Sequence, residues 1–207
     1  MKKMILLGLL VLFIPVILHG QDKVEAPVWN VGDKWDFGKT TMVVVGADES
    51  NYTVRFSSPS GDSTFIYDKS SLNRLYSVQG DRRVEYKGWH KSLLNFPLNS
   101  GKSWKDKFAA SPLWGRTPAD MQKERIYLET FSVLGWEDIE VKAGKFKALK
   151  LEYKQEGTQE LRGRTREGKA WFWYSPDVKY LVKCEYGKTD YWVGFVSWEL
   201  TSFELKK

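Results

Sequence analysis

"GKAWFWYSPDVKYLVKCEY", residues 168–186, is the stretch of this sequence that decides the fold. Four consecutive aromatic residues, 171–174, are followed by Ser-Pro-Asp and then by a second apolar run. Pro176 presets φ for a turn, and the Asp177 side chain can bond its own backbone there. The pattern therefore predicts an antiparallel β-hairpin whose first strand is almost entirely aromatic.

The four aromatic rings do not form a single platform. Successive side chains of a strand point to opposite faces, so Trp171 and Trp173 share one face. Phe172 and Tyr174 share the other face with Ala170. Because both faces are apolar, this strand is predicted to be covered on both sides, either by the core or by a helix, loop or ligand.

The same period of two recurs along the chain. The run "FKALKLEYK" covers residues 146–154. In it, apolar and charged residues alternate, with Leu149, Leu151 and Tyr153 at the apolar positions, as in a strand that has one buried face and one solvent-exposed face. This run and the one before it flank Ala143-Gly144, a second predicted hairpin. Other short β-branched and aromatic runs are separated by Gly, Asn, Asp or Ser clusters. The sequence predicts an all-β fold, a strongly curved antiparallel sheet or half-barrel.

Residues 106–125 interrupt the strand pattern. Thr117 followed by Pro118 is typical of a helix N-cap with proline at the first helical position. A short helix or lid segment is therefore predicted here, crossing an open face of the sheet.

The N-terminal residues resemble a secretory leader. Lys2 and Lys3 precede an apolar run from Met4 to Leu18, which is shorter than the about 20 residues of a membrane span. The prediction is a signal peptide at 1–20, a single β-rich domain at 21–207, and a periplasmic or secreted location. An uncleaved N-terminal anchor is the alternative.

Charge and cysteine content exclude several classes of protein. The formal net charge of +6 comes from 32 basic and 26 acidic residues spread along the chain, unlike the basic face of a nucleic-acid binder. Cys184 is the only cysteine, so no intramolecular disulfide can form. It is predicted to be a buried apolar residue. The alternative is that it acts as a catalytic thiolate.

No catalytic motif stands out. Apart from His19 in the leader, His90 is the only histidine, which excludes a His-rich zinc site. Nucleophile-elbow and phosphate-binding glycine motifs are absent from the sequence. The sequence predicts no enzyme activity, no metal and no cofactor. Catalysis by a pair of carboxylates, as in glycoside hydrolysis, remains an alternative. The candidate acids alternate with apolar residues and should therefore point to solvent: Glu137, Asp138, Glu140, Glu152 and Glu185.

Two hairpins also resemble a known group of proteins. "VKAGKF" at 141–146 and "WFWYSPDVKYLVK" at 171–183 resemble a V-x-A-G-x-F…W-Y-S/A-P-x-V…V-K signature, and "FPLNSGKSW" at 96–104 resembles its P-L-x-x-G-x-x-W element. The signature occurs in uncharacterised exported bacterial proteins of the DUF3108-like and TapB-like group. The resemblance implies a β-rich exported domain similar to the LolA/LolB half-barrel and implies no catalytic residue. Lys179-Tyr180 departs from the group, where glycine is common.

Three functional hypotheses follow from the aromatic content. The first is non-enzymatic binding of a lipid or acyl chain in the concave face, lined by Trp171, Trp173, Trp192 and Trp198. The second is a structural or partner-binding cell-envelope protein with a filled core. The third is a hydrolase that uses a carboxylate pair on a carbohydrate. No nucleic-acid partner is expected, whereas peripheral association with the cell envelope fits the first two.

Overall fold

The computed structural model describes residues 23–85, 92–110, 125–159, 164–187 and 196–207. Within these ranges the chain is all-β and contains no helix, which confirms the predicted fold class. The leader at 1–20, His90, Trp192 and the proposed helix near Thr117 lie outside the described residues.

Two large antiparallel sheets make up the described fold, and neither closes into a barrel. The first has the strand order β13-β1-β2-β3-β4-β5-β6 and the second β12-β11-β10-β9-β8-β7. The strands of the first sheet are β1 (Lys34–Asp36), β2 (Thr41–Ala47), β3 (Asn51–Ser58), β4 (Gly61–Asp68), β5 (Arg74–Gln79), β6 (Arg82–Glu85) and β13 (Ser202–Glu204). The strands of the second sheet are β7 (Ser103–Ala110), β8 (Arg125–Val141), β9 (Gly144–Gln159), β10 (Arg164–Ser175), β11 (Tyr180–Tyr186) and β12 (Trp198–Glu199).

Both predicted hairpins are present. The β8–β9 turn consists of Lys142 and Ala143, one residue earlier than expected, and Gly144 opens β9 with a φ of 137°. Residues 176–179 form the β10–β11 turn. Its last residue, Lys179, adopts a φ of 60°, a left-handed conformation that favours glycine. Lysine therefore occupies this position at a conformational cost.

Two buried tryptophans hold this turn against the first sheet. The Trp29 indole donates a hydrogen bond to the Lys179 carbonyl at 3.0 Å, and the Trp35 indole donates one to the Val178 carbonyl at 2.8 Å. The Lys179 ammonium also lies 3.7 Å from the buried Asp33 carboxylate. These contacts join the two sheets and hold Lys179 in its unfavourable conformation.

The last two strands of the chain belong to different sheets. β12 pairs with β11 in the second sheet, whereas β13 pairs with β1 in the first. Between them, the Leu200 amide donates to Val182 and the Thr201 amide donates to Asp36, each at 2.8 Å. The chain therefore passes from one sheet to the other within two residues, with Leu200 fully buried at the crossing.

The predicted lid at 106–125 lies for the most part outside the described residues, and its first residues, 106–110, belong to β7. A different segment, residues 92–102 between β6 and β7, places Leu94 and Leu98 in the core. Phe96 contacts Tyr174 edge-on, with ring centroids 5.4 Å apart. This loop was missed because its alternating apolar residues are interrupted by proline and asparagine.

Candidate functional site

Strand β10 presents two chemically different faces. Phe172 pairs with Leu151 on β9 and Cys184 on β11, and all three are buried in the space between the sheets. Trp173 pairs with Lys150 and Lys183, on the outer face. The prediction that neighbouring rings face opposite sides is confirmed.

Charged side chains cover the outer face at Trp173. The ammonium groups of Lys150 and Lys183 lie 5.1 and 4.9 Å from its ring centroid, within cation–π range. The indole N–H donates to Glu137 Oε2 at 2.9 Å, and Glu137 Oε1 lies 3.0 Å from the Lys150 nitrogen. The hydrogen bond from Trp173 and the nearby lysines hold the pKa of Glu137 below its usual value. Trp173 is consequently only 5% exposed.

Three of the four predicted tryptophans, Trp171, Trp173 and Trp198, are among the described residues, and the structure does not bring these three together. Trp171 lies on the same outer face as Trp173, between Glu152 and Glu185 in register. The expected placement of Trp171 and Trp173 toward the concave side is therefore wrong, because the alternation makes Phe172 the inward residue. Trp198, in contrast, lines the space between the sheets.

That space is filled at one end and open at the other. At the filled end Trp29 packs against Trp35 and Tyr52, with ring centroids 5.3 and 5.2 Å apart. At the other end lies a cavity of about 890 Å³, within the roughly 300–1,000 Å³ range of small-molecule sites. The interior is therefore not a uniformly packed core.

Aromatic and aliphatic side chains dominate the walls of the cavity. The first sheet and the loop before β2 contribute Phe37, Phe56 and Tyr67. The remaining apolar wall residues come from the turn before β5, the 92–102 segment, the second sheet and the chain just before β12: Leu72, Leu93, Leu94, Phe172, Tyr180, Leu181, Cys184, Val196 and Trp198. The Phe37 and Trp198 rings meet edge-on at 4.8 Å, which joins the two walls.

One guanidinium lies within this apolar wall. Arg74 begins β5 opposite Tyr67, where a β-bulge adds a residue to the strand. Its guanidinium carbon is 4.2 Å from the Phe65 ring centroid and 5.4 Å from that of Phe56. Its Nε and a terminal nitrogen donate to the Tyr67 hydroxyl at 3.1 and 2.9 Å. Three aromatic rings and a hydroxyl thus hold the Arg74 charge in one position.

Tyr180 faces this arginine from the second sheet. Its ring packs against Trp29, Trp35 and Phe37, and its hydroxyl makes no hydrogen bond to any described residue. Burial raises the pKa of this hydroxyl, Tyr67 raises it further, and Arg74 opposes the shift. The phenol is therefore protonated at neutral pH and able to donate a hydrogen bond.

The other charged groups near the cavity are mainly basic. Lys39 and Lys142 line its rim, and Lys142 pairs with Glu199 at 3.1 Å. Lys183 also belongs to the lining, but its ammonium lies over Trp173 beside Glu185. Among the described lining residues, basic side chains therefore outnumber the one carboxylate, that of Glu199.

Cys184 is a buried wall residue, as predicted. It has no exposed surface, and burial raises the pKa of its thiol to about 12. A thiol protonated at neutral pH is not the nucleophilic thiolate of a catalytic cysteine.

The acids singled out in the sequence lie at the surface. Glu137, Asp138, Glu140 and Glu185 are exposed, and Glu152 is half-buried. Sequence reasoning missed the buried Glu129, which accepts a hydrogen bond from the Tyr153 hydroxyl at 2.7 Å. Its position between Tyr127 and Phe131 in the alternating run of β8 could have revealed it.

The described part of the chain contains neither a metal-binding cluster nor a helix that could span a membrane. No cluster of three or more His, Cys, Asp or Glu side chains there could hold a metal ion. No helix there is long and apolar enough to cross a membrane.

Comparison with known proteins yields structural neighbours at low similarity. No protein-family model matches the chain, and no curated protein matches its sequence. Among solved structures, the hypothetical lipoprotein YmcC of Escherichia coli is similar with a TM-score of 0.43 and 11% identity, over 84% of this chain and 83% of that one.

Two further solved structures are similar at comparably low identity. A candidate lipoprotein from Parabacteroides distasonis has a TM-score of 0.39 and 16% identity, over 89% of this chain and 100% of that one. A candidate exported protein with a YmcC-like fold from Bacteroides fragilis has a TM-score of 0.39 and 15% identity, over 88% and 99% of the two chains. At these TM-scores, no functional conclusion follows from the similarity.

Proposed function

We propose that this chain is an exported, non-enzymatic protein that binds an apolar or amphipathic molecule, such as a lipid or an acyl chain, in the cavity between its two sheets. The observation that carries the proposal is the cavity itself, about 890 Å³ in volume with predominantly aromatic and aliphatic walls. Sites of this size and composition are typical of small-molecule binding.

Trp198 is retained from the ligand contacts expected from the sequence, and the other proposed contacts are new. Phe172, Leu181 and Trp198 supply apolar surface from the second sheet, and Phe37 and Phe56 supply it from the first. Transfer of an acyl chain from water to these walls is favourable by about 0.8 kcal/mol for each CH₂ group. Export and peripheral association with the cell envelope remain part of the proposal, supported by the leader-like sequence at 1–20.

The main alternative is a structural or partner-binding envelope protein with a filled core. The packed end of the interior, around Trp29 and Trp35, favours that interpretation locally. The cavity end opposes it, because close-packed interiors contain few voids larger than a water molecule.

The cavity can be tested with a neutral fluorescent probe, N-phenyl-1-naphthylamine, whose emission rises in apolar surroundings. We expect the intact protein to bind it. Cys184→Phe should abolish binding, because a ring added at this fully buried wall position occupies the cavity. Cys184→Ala is the matched control, since it removes the thiol but keeps the space open.

Thermal unfolding of both variants shows whether they fold. Failure of the intact protein to bind the probe would refute the proposal. So would unchanged probe binding by a folded Cys184→Phe variant.

A further inference from the structure

The Tyr180 side chain brings a hydroxyl to the wall of the cavity. Tyr180 is among the lining residues, and its hydroxyl makes no hydrogen bond to any described residue. Its ring lies where the packed end of the interior meets the cavity, against Trp29, Trp35 and Phe37. Tyr180 therefore places a polar group at the inner boundary of the cavity.

The polar groups around the Tyr180 ring are bonded elsewhere. The Trp29 indole donates to the Lys179 carbonyl, and the Trp35 indole donates to the Val178 carbonyl. The Tyr52 hydroxyl, beside Trp29, accepts a hydrogen bond from the Trp29 amide at 3.0 Å. The packed end thus supplies no hydrogen bond to the Tyr180 hydroxyl.

The hydroxyl also lies in apolar surroundings. Burial, more than the neighbouring Tyr67, raises the pKa of Tyr180, as expected for a phenol withdrawn from water. The protonated phenol offers one O–H donor. A buried donor without an acceptor is unfavourable, and a hydrogen bond made in such surroundings is stronger than one made in water. The site therefore favours a ligand that brings an acceptor.

We propose that the ligand is a neutral molecule with an apolar chain and a carbonyl group, such as a ketone or an ester, whose carbonyl oxygen accepts a hydrogen bond from the Tyr180 hydroxyl. This inference rests on the proposed function, since it names the class of molecule that the cavity accepts. The chain lies along the apolar wall that Phe172, Leu181 and Cys184 provide. One placed polar group in a mainly apolar site is a common arrangement for fixing the orientation of a ligand.

The charged groups of the wall agree with a neutral ligand. Arg74 needs no ligand, because the Tyr67 hydroxyl and the Phe65 ring already bind its guanidinium. At the rim, Lys142 pairs with Glu199 at 3.1 Å. A charged headgroup would lose its hydration on entering the apolar walls, whereas a carbonyl is compensated by a hydrogen bond.

A bound water is the alternative partner of the Tyr180 hydroxyl. Buried waters bond polar groups that lack protein partners, and each typically makes about three hydrogen bonds. The rings of Trp29, Trp35 and Phe37 around Tyr180 offer a water no acceptor for its own protons. These surroundings favour a ligand carbonyl, which needs only the one donor.

The test compares two ligands of the same shape: 2-decanone, and 2-methyl-1-decene, in which a CH₂ group replaces the carbonyl oxygen. Each is titrated against the protein loaded with N-phenyl-1-naphthylamine, and the concentration that displaces half of the probe is measured. Tyr180→Phe keeps the ring and removes the hydroxyl. In this variant we expect the ratio of the ketone concentration to the alkene concentration to rise about fivefold, as for the loss of one hydrogen bond.

Tyr76→Phe is the matched control. It removes an exposed hydroxyl from β5, outside the cavity lining, and should leave the ratio unchanged. Because each ratio is taken within one protein, loss of folded molecules would affect both ligands equally.

A second measurement needs no variant. The infrared stretching band of an isotope-labelled carbonyl in bound 2-decanone should lie at a lower frequency than in an alkane solvent, because a hydrogen bond weakens the C=O bond. In Tyr180→Phe the band should return to its frequency in the alkane.

The outcomes separate the two proposals. An equal ratio in the intact protein and in Tyr180→Phe would overturn the carbonyl assignment and leave the cavity function standing. So would a carbonyl band of the intact complex at its alkane frequency, or a rise in the ratio that Tyr76→Phe reproduces. If the probe does not bind to the intact protein, both proposals fail.

Discussion

The inner and outer faces of strand β10 bury neighbouring rings to almost the same extent by different means. Phe172 is 1% exposed and Trp173 is 5% exposed. A second layer of protein covers Phe172, whereas the charged side chains of Lys150, Lys183 and Glu137 cover Trp173. Burial alone therefore does not tell a core ring from a surface ring, and the energetics of the two should differ.

The largest effect should come from the inner ring. We expect Phe172→Ala to lower the free energy of unfolding by about 3 kcal/mol, the lower end of the range for buried phenylalanine, because the ring adjoins an existing cavity. Urea unfolding measures this loss. Val45→Ala, at an exposed position, should change stability by less than about 0.5 kcal/mol. A loss below about 1 kcal/mol for Phe172→Ala would show that the inner face is not what stabilises this strand.

The outer ring should contribute less. Trp173→Phe keeps an aromatic ring between the two lysines but removes the indole N–H that bonds Glu137 at 2.9 Å. We expect a loss of about 1 kcal/mol, since water can replace part of this hydrogen bond at the half-exposed carboxylate. Trp171→Phe is the control, because the Trp171 indole makes no hydrogen bond to a described residue. Equal losses in the two variants would contradict a specific role for the Glu137 contact.

The smallest effect should be a pH dependence confined to the outer face. The folded protein lowers the pKa of Glu137 from its ordinary 4.5, first through the hydrogen bond from Trp173. The carboxylate therefore stabilises the fold above pH 4.5, and this contribution is lost as the pH falls through the lowered value. Because Glu137 is about half-exposed, we expect less than about 1 kcal/mol.

Glu137→Gln makes this contribution measurable. The stability difference between the intact protein and this variant should be positive at pH 7 and shrink progressively as the pH falls below 4.5. Asp138→Asn changes the adjacent exposed acid and should give a difference that does not follow this course. A pH-independent difference for Glu137→Gln would mean that packing, not charge, explains the role of Glu137.

Much of the fold could be predicted from local pattern. The alternation in residues 146–154 and the turn at Pro176 predicted β9, β10 and β11 with their hairpin, because strand periodicity and turn chemistry depend on residues close in sequence. The division of the C-terminal residues between the two sheets is not predictable in this way. Trp198 pairs in the second sheet and Phe203 in the first, and these pairings join residues far apart in sequence.

The candidate site was predicted only in part. Trp198 was among the expected ligand contacts and does line the cavity, whereas Arg74, Phe37 and Phe172 were not singled out. Their elements are far apart in sequence, and no local motif records that they meet. The inward position of Arg74 also depends on a β-bulge opposite Tyr67, which shifts the alternation by one residue.

The sequence by itself determined that Trp171 and Trp173 lie on one face of a strand and Phe172 on the other, because backbone geometry alone sets a period of two. Only the tertiary structure decided which face is the interior. Both faces are apolar enough to be buried, so the choice depends on the strands that pair on either side. Lys150 and Lys183 stand beside Trp173, and Leu151 and Cys184 stand beside Phe172. The register of those neighbours directs the phenylalanine, and not the tryptophans, toward the cavity.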